Sequence, residues 1–410
     1  MNRREASATS VQEFAPETGL PAASLRQSGF APREKSAEDR ALTRLCERPR
    51  QFLELAQLPT PVARAPWLDG PRAHVWIKRD ELSCELYGGG KVRKLEWLLG
   101  SQQYDNDFPV ISVGGIGSHH LLALALHFAR SGRRLHALTF PQRLTTHVRQ
   151  NLAALVSLGT RFWHVPSRVE LPLAYLSCRS LSAGRNALWM DAGGSSAVGS
   201  LGFVSAGLEL AEQVASGQLP QPTRIFVPGG TGGTPAGLIL GLALARLSTV
   251  VHVVSSVEPW LLNTWTLRHK MMQIHAELRR LGVSARSSAR ELCKLANVRF
   301  VLDHAQLGAG YGEPTEVAQC SVGMAASRGI ALETTYSGKC LAALQLHVAR
   351  DTTQGPVLFW NTNAARDLTQ LIKPGWEVEA EATGIRLTTP AAAGPGPLGP
   401  LARRFGKGAA

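Results

Sequence analysis

Along most of the chain, short β-branched or apolar runs alternate with longer stretches of helical period. HVWIKRD precedes KLEWLLGSQQ, PVISVGG precedes SHHLLALALHFARSG, and RLHALTF precedes TTHVRQNLAALVSLG. The rhythm returns in TRIFVPGG followed by TPAGLILGLALARL, in VVHVVSS and in PVLFWNT. Strand-length apolar runs separated by helices fit strands joined by crossovers, so the pattern predicts an α/β fold with a parallel sheet and helices on both faces. Such sheets take ligands beyond the carboxyl ends of their strands, which is where this chain's glycines cluster. Residues 1–45 mix Ala, Ser, Pro, Glu and Arg without a sustained apolar period, and 388–410 are rich in Pro, Gly and Ala. Both ends are expected to be flexible extensions.

Composition narrows the picture. The 410 residues, 44% hydrophobic and 18% charged, are enough for two domains with a sizeable core and exclude a wholly disordered chain. The net charge of +13 raises the question of nucleic acid, but the cations are scattered and never interleave with aromatics in a run. A generally basic surface with no nucleic-acid partner is the expectation. The six cysteines show no CxxC or other metal-ligand spacing, which favours free thiols in a reducing compartment over disulfides or a metal site. With no apolar leader and no apolar run of spanning length, a soluble, cytoplasmic protein without membrane association is expected.

The candidate chemistry lies in the glycine loops. In VPGGTGGTPAGLILGLALA a strand ends at Ile225 to Val227, a loop runs from Gly229 to Thr234, and Pro235 stands in the first turn of an apolar helix. A glycine loop opening a helix presents N–H groups and the positive end of the dipole, so a phosphate should bind there. Neither a Walker loop nor GxGxxG is matched, and a plain turn would need fewer glycines. ISVGGIGSHHLLALALHFARSG repeats the construction, with Ser118 either an N-cap or a ligand contact. His119 and His120 point about 100° apart on a helix and cannot readily share one metal. MDAGGSSAVGSLGF supplies a third loop, and three loops converging at one edge could enclose a small anion. In LYGGGKVRKLEWLLG, Lys91 follows three glycines. Alone it reads as a solvated first-turn residue. Beside a phosphate cradle with no nucleotide fingerprint, it suggests pyridoxal 5′-phosphate, whose aldehyde forms a Schiff base with a lysine amine. Burial and the neighbouring cations Arg93 and Lys94 would depress the amine's pKa.

The motifs LPTPV, KRDEL, GGGKVRKLE, GGIGSHH, GGSSAVGSLGF, GGTGGTPAGL, GAGYGEP and TTYSGK, in this order, resemble a pyridoxal-phosphate family, over roughly Pro59 to Thr362. It is the family that includes D-cysteine desulfhydrase and 1-aminocyclopropane-1-carboxylate deaminase. The resemblance implies two doubly wound parallel-sheet domains of the tryptophan synthase β-like type, fold type II. Residues 46–92 and 205–387 would form the larger, cofactor-binding domain and 93–204 a smaller inserted one, with the cofactor in the cleft and a homodimer as the assembly. It also implies that Lys91 holds the cofactor and moves the substrate's Cα proton. Gly230, Thr231, Gly232, Gly233 and Thr234 would bind the phosphate, with Lys94 and His119 as further cofactor contacts. Ser118 would lie near the substrate carboxylate or the transferred proton, Tyr311 and Tyr336 would line the substrate side, and Ser337 would face the pyridine nitrogen.

Three positions depart from the family pattern. Gly90 replaces an asparagine before the lysine. His119 replaces an asparagine after the motif serine and brings a pH-dependent charge. Ser337 stands where the deaminase branch has glutamate, and its neutral hydroxyl suits α,β-elimination from a small amino acid, giving pyruvate and ammonia, better than opening of a cyclopropane ring. The deaminase, or a catalytically weak homologue that binds the cofactor, are the alternatives.

Overall fold

The computed structural model describes residues 40–48, 51–100, 108–184, 187–283, 288–350, 354–364 and 366–387. The extensions expected over 1–39 and 388–410 lie outside the described residues. Ordered chain is present from Arg40, within the stretch read as an extension. Leu42 is fully buried, and the Arg40 guanidinium reaches the Ala56 carbonyl at 3.0 Å and the Glu96 carboxylate. Local composition misses this anchor because its partner is a carboxylate more than fifty residues away.

In chain order the strands are β1 (Val62–Arg64), β2 (Ala73–Arg79), β3 (Val110–Gly115), β4 (Leu135–Phe140), β5 (Arg161–His164), β6 (Leu188–Met190), β7 (Arg224–Gly229), β8 (Thr249–Ser255), β9 (Val298–Asp303) and β10 (Gly355–Asn361). The helices are α1 (Gly90–Leu99), α2 (His119–Arg130), α3 (Thr146–Ser157), α4 (Leu171–Gly184), α5 (Ala197–Ala215), α6 (Gly233–Leu244), α7 (Thr264–Arg280), α8 (Ala289–Leu295), α9 (Glu316–Ala326), α10 (Ser337–Val348) and α11 (Trp376–Ala382).

The strands form two sheets of order β1-β2-β10-β7-β8-β9 and β5-β4-β3-β6. Every pairing is parallel except that of β1 with β2. The chain therefore starts one sheet with β1 and β2, leaves it to build all of the other, and returns through α5 to β7. The hydrophobic rhythm anticipated β2, β3, β4, β7, β8 and β10. It passed over β1, β5, β6 and β9, the strands at the sheet edges, whose half-exposed faces carry charges or are only three residues long.

Helix α6 is apolar all round because it is covered all round. It crosses α5 at backbone contact: a Cβ on Gly237 would lie 2.4 Å from the Ser200 carbonyl oxygen, and one on Gly241 2.2 Å from that of Val204. That packing fixes the loop before α6. Helix α1 is pinned by a buried charge network. The Arg93 guanidinium donates to Asp80 at 2.7 and 3.0 Å and to Glu209 at 2.9 and 3.0 Å. The Lys78 ammonium donates to Glu209 at 2.5 Å, and the Trp360 indole to Asp80 at 2.7 Å. Two cations balance two carboxylates, as burial of charge requires.

Candidate active site

Three glycine loops and the start of α1 line a single cavity of about 630 Å³. Its wall includes Gly88, Gly90 and Lys91, Gly114, Gly115, Gly117 and Ser118, Ala192 and Gly193, and Gly230 to Gly232 with Thr234. The convergence expected from sequence is thus realised. The reason is topological: each loop follows the carboxyl end of a strand, β3, β6 or β7.

Helix α6 begins after Gly232, whose φ of +82° is left-handed, and no side chain caps it. A Cβ on Gly230 would sit 3.0 Å from the Tyr336 ring, and one on Gly193 2.9 Å from the Thr231 hydroxyl, so the wall must be bare backbone. Thr231 Oγ1 lies 2.5 Å from Ser195 Oγ, which accepts from the Lys94 ammonium at 2.8 Å. Lys94 also donates to the Gly193 carbonyl at 3.2 Å. From α7, Lys270 donates to the Ser195 carbonyl at 2.8 Å. Burial, reinforced by Lys91 and Lys270, holds the Lys94 pKa well below its ordinary value. Two lysine amines and the N-terminus of α6 supply donors of the kind an anion can use here. Gly233 does not face the cavity; its backbone is pressed against Ser195 and Ser200.

The glycines before Lys91 serve close packing. A Cβ on Gly88 would meet the Glu81 carbonyl oxygen at 2.1 Å, and one on Gly89, where φ is +89°, the Asn363 carbonyl oxygen at 2.4 Å. At Gly90 the space is filled by Phe203, whose ring would lie 2.8 Å from a Cβ. An asparagine there would have to displace that ring. Burial lowers the Lys91 pKa to about 8 against the opposing pull of Glu333. Arg93, expected to assist, faces the opposite way into the charge network, so its contribution is corrected: the depression comes from burial.

Ser118 caps α2, accepting from the Leu121 N–H at 3.4 Å, and also lines the cavity. His119 and His120 diverge as expected, with His120 Nε2 3.0 Å from Ser112 Oγ. His119 Nδ1 lies 2.6 Å from the Tyr87 hydroxyl and 3.5 Å from the Asn151 amide nitrogen. The pH-dependent charge expected of His119 is displaced to strong acid. Burial lowers its pKa to about 4, with Glu333 opposing and His147 and Lys91 assisting, so the ring is neutral near pH 7. Burial also keeps the Tyr87 hydroxyl protonated. With two donors at Nδ1 the ring hydrogen belongs on Nε2, which is buried and has no hydrogen-bond partner among the described residues. A buried donor of this kind calls for an acceptor.

Tyr336 donates to the Tyr311 hydroxyl at 3.0 Å, and both rings line the cavity. Burial raises the pKa of each phenol. Ser337 is not part of the cavity wall. Its hydroxyl accepts from the Glu333 N–H at 2.9 Å and lies 3.1 Å from the Glu333 carboxylate. That carboxylate accepts backbone N–H bonds from Thr335, Tyr336 and Ser337 at 2.6, 2.9 and 2.8 Å. Burial works to raise its pKa, but His147, His119 and these bonds hold it below the ordinary range.

Sequence reading missed Tyr87, His147, Asn151, Lys270 and Glu333. Only Glu333 carried a local signal, an acidic residue four positions before a helix start. Ligating atoms of His119, His147 and Glu333 lie within 4.8 Å of one another, but they are already committed: His147 pairs with Thr145 at 3.0 Å and Thr335 at 3.3 Å, and Glu333 caps α10.

A family model described as pyridoxal-phosphate dependent enzyme matches residues 53–363. The chain is 31% identical over 319 residues to nocardicin C-9′ epimerase of Nocardia uniformis subsp. tsuyamanensis, covering 73% of this chain and 89% of that one. It is 29% identical over 323 residues to D-cysteine desulfhydrase of Salmonella paratyphi A, covering 76% and 94%. A crystal structure of an ACC deaminase homologue superposes with a TM-score of 0.61 at 26% identity, over 80% of this chain and 95% of that one. The donors present suit the cofactor: two lysine amines and a helix N-terminus for its phosphate, a depressed amine for its aldehyde, and an orphaned buried N–H for its phenolic oxygen. The chain belongs to the pyridoxal-phosphate-dependent enzymes, in the group of D-cysteine desulfhydrase and ACC deaminase.

Proposed function

We propose that this enzyme is a lyase that eliminates a β-substituent from a small amino acid, as D-cysteine desulfhydrase does, releasing pyruvate and ammonia. The observation that carries the proposal is Lys91, which lines a glycine-walled cavity, half-buried, with its pKa brought by desolvation to about 8. Bound pyridoxal phosphate supplies the electron sink that lets a Cα proton leave. Lys91 then acts as the base for that proton, because near pH 7 an amine of this pKa is free often enough to accept it. Lys94 and the loop residues Gly230, Thr231, Gly232 and Thr234 would hold the phosphate. His119 donates from Nε2 to the phenolic oxygen, with Tyr87 and Asn151 fixing its tautomer. The phenols of Tyr311 and Tyr336, protonated near neutrality, can donate to the departing β-group. The larger domain of 46–92 and 205–387 carries the phosphate loop, and the inserted 93–204 supplies Ser118 and His119.

Epimerisation is the second reading, favoured by the likeness to an epimerase at 31% identity. It shares the first step, and the proton returns to Cα instead of a β-group leaving. The test is optical and chemical. Purified protein should carry a yellow chromophore that borohydride fixes to Lys91, and D-cysteine should yield pyruvate and sulfide. A Lys91→Ala protein with the same reducible chromophore would refute the assignment. Turnover of D-cysteine to its enantiomer without pyruvate would select the second reading.

A further inference from the structure

The mouth of the cavity is apolar in a way that cysteine does not need. Val169 is 85% exposed, Trp260 73% and Leu261 47%, yet all three line the cavity together with the more sheltered Leu171 and Tyr175. They come from two separate segments, the start of α4 and the turn after β8. Singly exposed apolar residues are ordinary, but several around one opening mark a binding surface. The charged groups beside them are already satisfied. Arg168 donates to the Tyr311 carbonyl at 2.8 Å and sits 3.6 Å from Glu258, whose oxygen accepts from the Tyr311 N–H at 3.2 Å. The Arg168 guanidinium also lies over the rings of Tyr311 and Phe140, at 5.3 and 5.6 Å. The opening therefore offers aromatic and aliphatic faces and few free polar partners. A cavity of about 630 Å³ is of the size that encloses drug-sized ligands, roughly 300–1,000 Å³, which leaves space for more than a cofactor and a three-carbon amino acid.

We propose that the substrate is an amino acid bearing an aromatic arm, which extends from Lys91 to the mouth and packs against Trp260, Leu261 and Val169. The proposal rests on the reading of Lys91 as the cofactor's anchor and names the substrate class of that same site. Because Trp260 and Val169 are largely exposed, replacing them should leave the fold intact.

The test titrates the holoenzyme with D-cysteine and S-benzyl-D-cysteine, and with their enantiomers, following the cofactor's absorbance and tryptophan fluorescence under conditions too brief for turnover. The benzyl compound should bind roughly tenfold more tightly, and Trp260→Ala should weaken it by a similar factor while changing D-cysteine far less. Equal affinities, or equal losses for both ligands in Trp260→Ala, would overturn the aromatic arm and leave the elimination reading standing. If no amino acid perturbs the chromophore, both readings fall together. Light scattering on wild type and Trp260→Ala completes the test. A change in mass would assign the exposed face to association between copies of the chain and overturn the proposal.

Discussion

The depressed pKa of Lys91 makes a quantitative prediction about Glu333. An ordinary lysine, with a pKa of 10.5, is unprotonated in about one molecule in 3,000 at pH 7; at a pKa of about 8 the fraction is about one in ten. Burial sets this value, and the carboxylate of Glu333 pulls against it. Glu333→Gln keeps an oxygen for the N–H groups of Tyr336 and Ser337 but removes the charge, so the Lys91 pKa should fall further, on the order of one unit. The free-amine fraction at pH 7 would then rise about fivefold. The assay mixes apo-protein with pyridoxal phosphate from pH 6 to 11 and follows chromophore formation. In the wild type the rate should climb to a plateau with a midpoint near 8, and in Glu333→Gln the midpoint should move to lower pH, with near-UV circular dichroism confirming the native fold. A wild-type midpoint near 10, or a variant midpoint shifted upward, would refute the argument that burial governs this amine and Glu333 opposes it.

Tyr87→Phe removes a donor that fixes the His119 tautomer, a bond worth about 0.5–1.5 kcal/mol, so cofactor affinity should fall roughly two- to tenfold in a fluorescence titration; unchanged affinity would show that His119 Nε2 does not reach the cofactor. Arg93→Met leaves Asp80 and Glu209 with Lys78 as the only cation of their network among the described residues, and breaking such a buried pair costs about 3–5 kcal/mol; a loss below about 1 kcal/mol in urea unfolding would contradict the network's role. Glu209 is held at about 2: burial would raise it, but Arg93 and Lys78 prevail. Its folded pKa lies below its unfolded one, so its stabilisation is present above about pH 4.5 and drains as pH falls towards 2, and Glu209→Gln should show a shallower acid limb in the melting temperature.

Much of the site was legible because each part is a local construction. Gly229 to Thr234, Gly114 to Ser118 and Gly88 to Lys91 are each a loop feeding a helix, written within ten residues, and local sequence is enough to specify them. The position of Arg93 was also implicit, since two residues along a helix turn a side chain about 200° away from Lys91. Tyr87, His147, Asn151 and Glu333 were not legible as partners of His119. Such residue types are common on any surface, and nothing in their spacing marks a contact that forms only when separate segments fold together.

The sequence by itself determined the strand–loop–helix units, the glycine loop before α6 and the lysine at the head of α1, because backbone conformation and helix capping depend on neighbours in the chain. The folded structure alone decided that burial brings Lys91 to about 8, that His119 stays neutral with a donor on Nε2, and that the Phe203 ring crowds Gly90. Those properties depend on which distant atoms surround a group and how much water they displace, and only tertiary packing sets either.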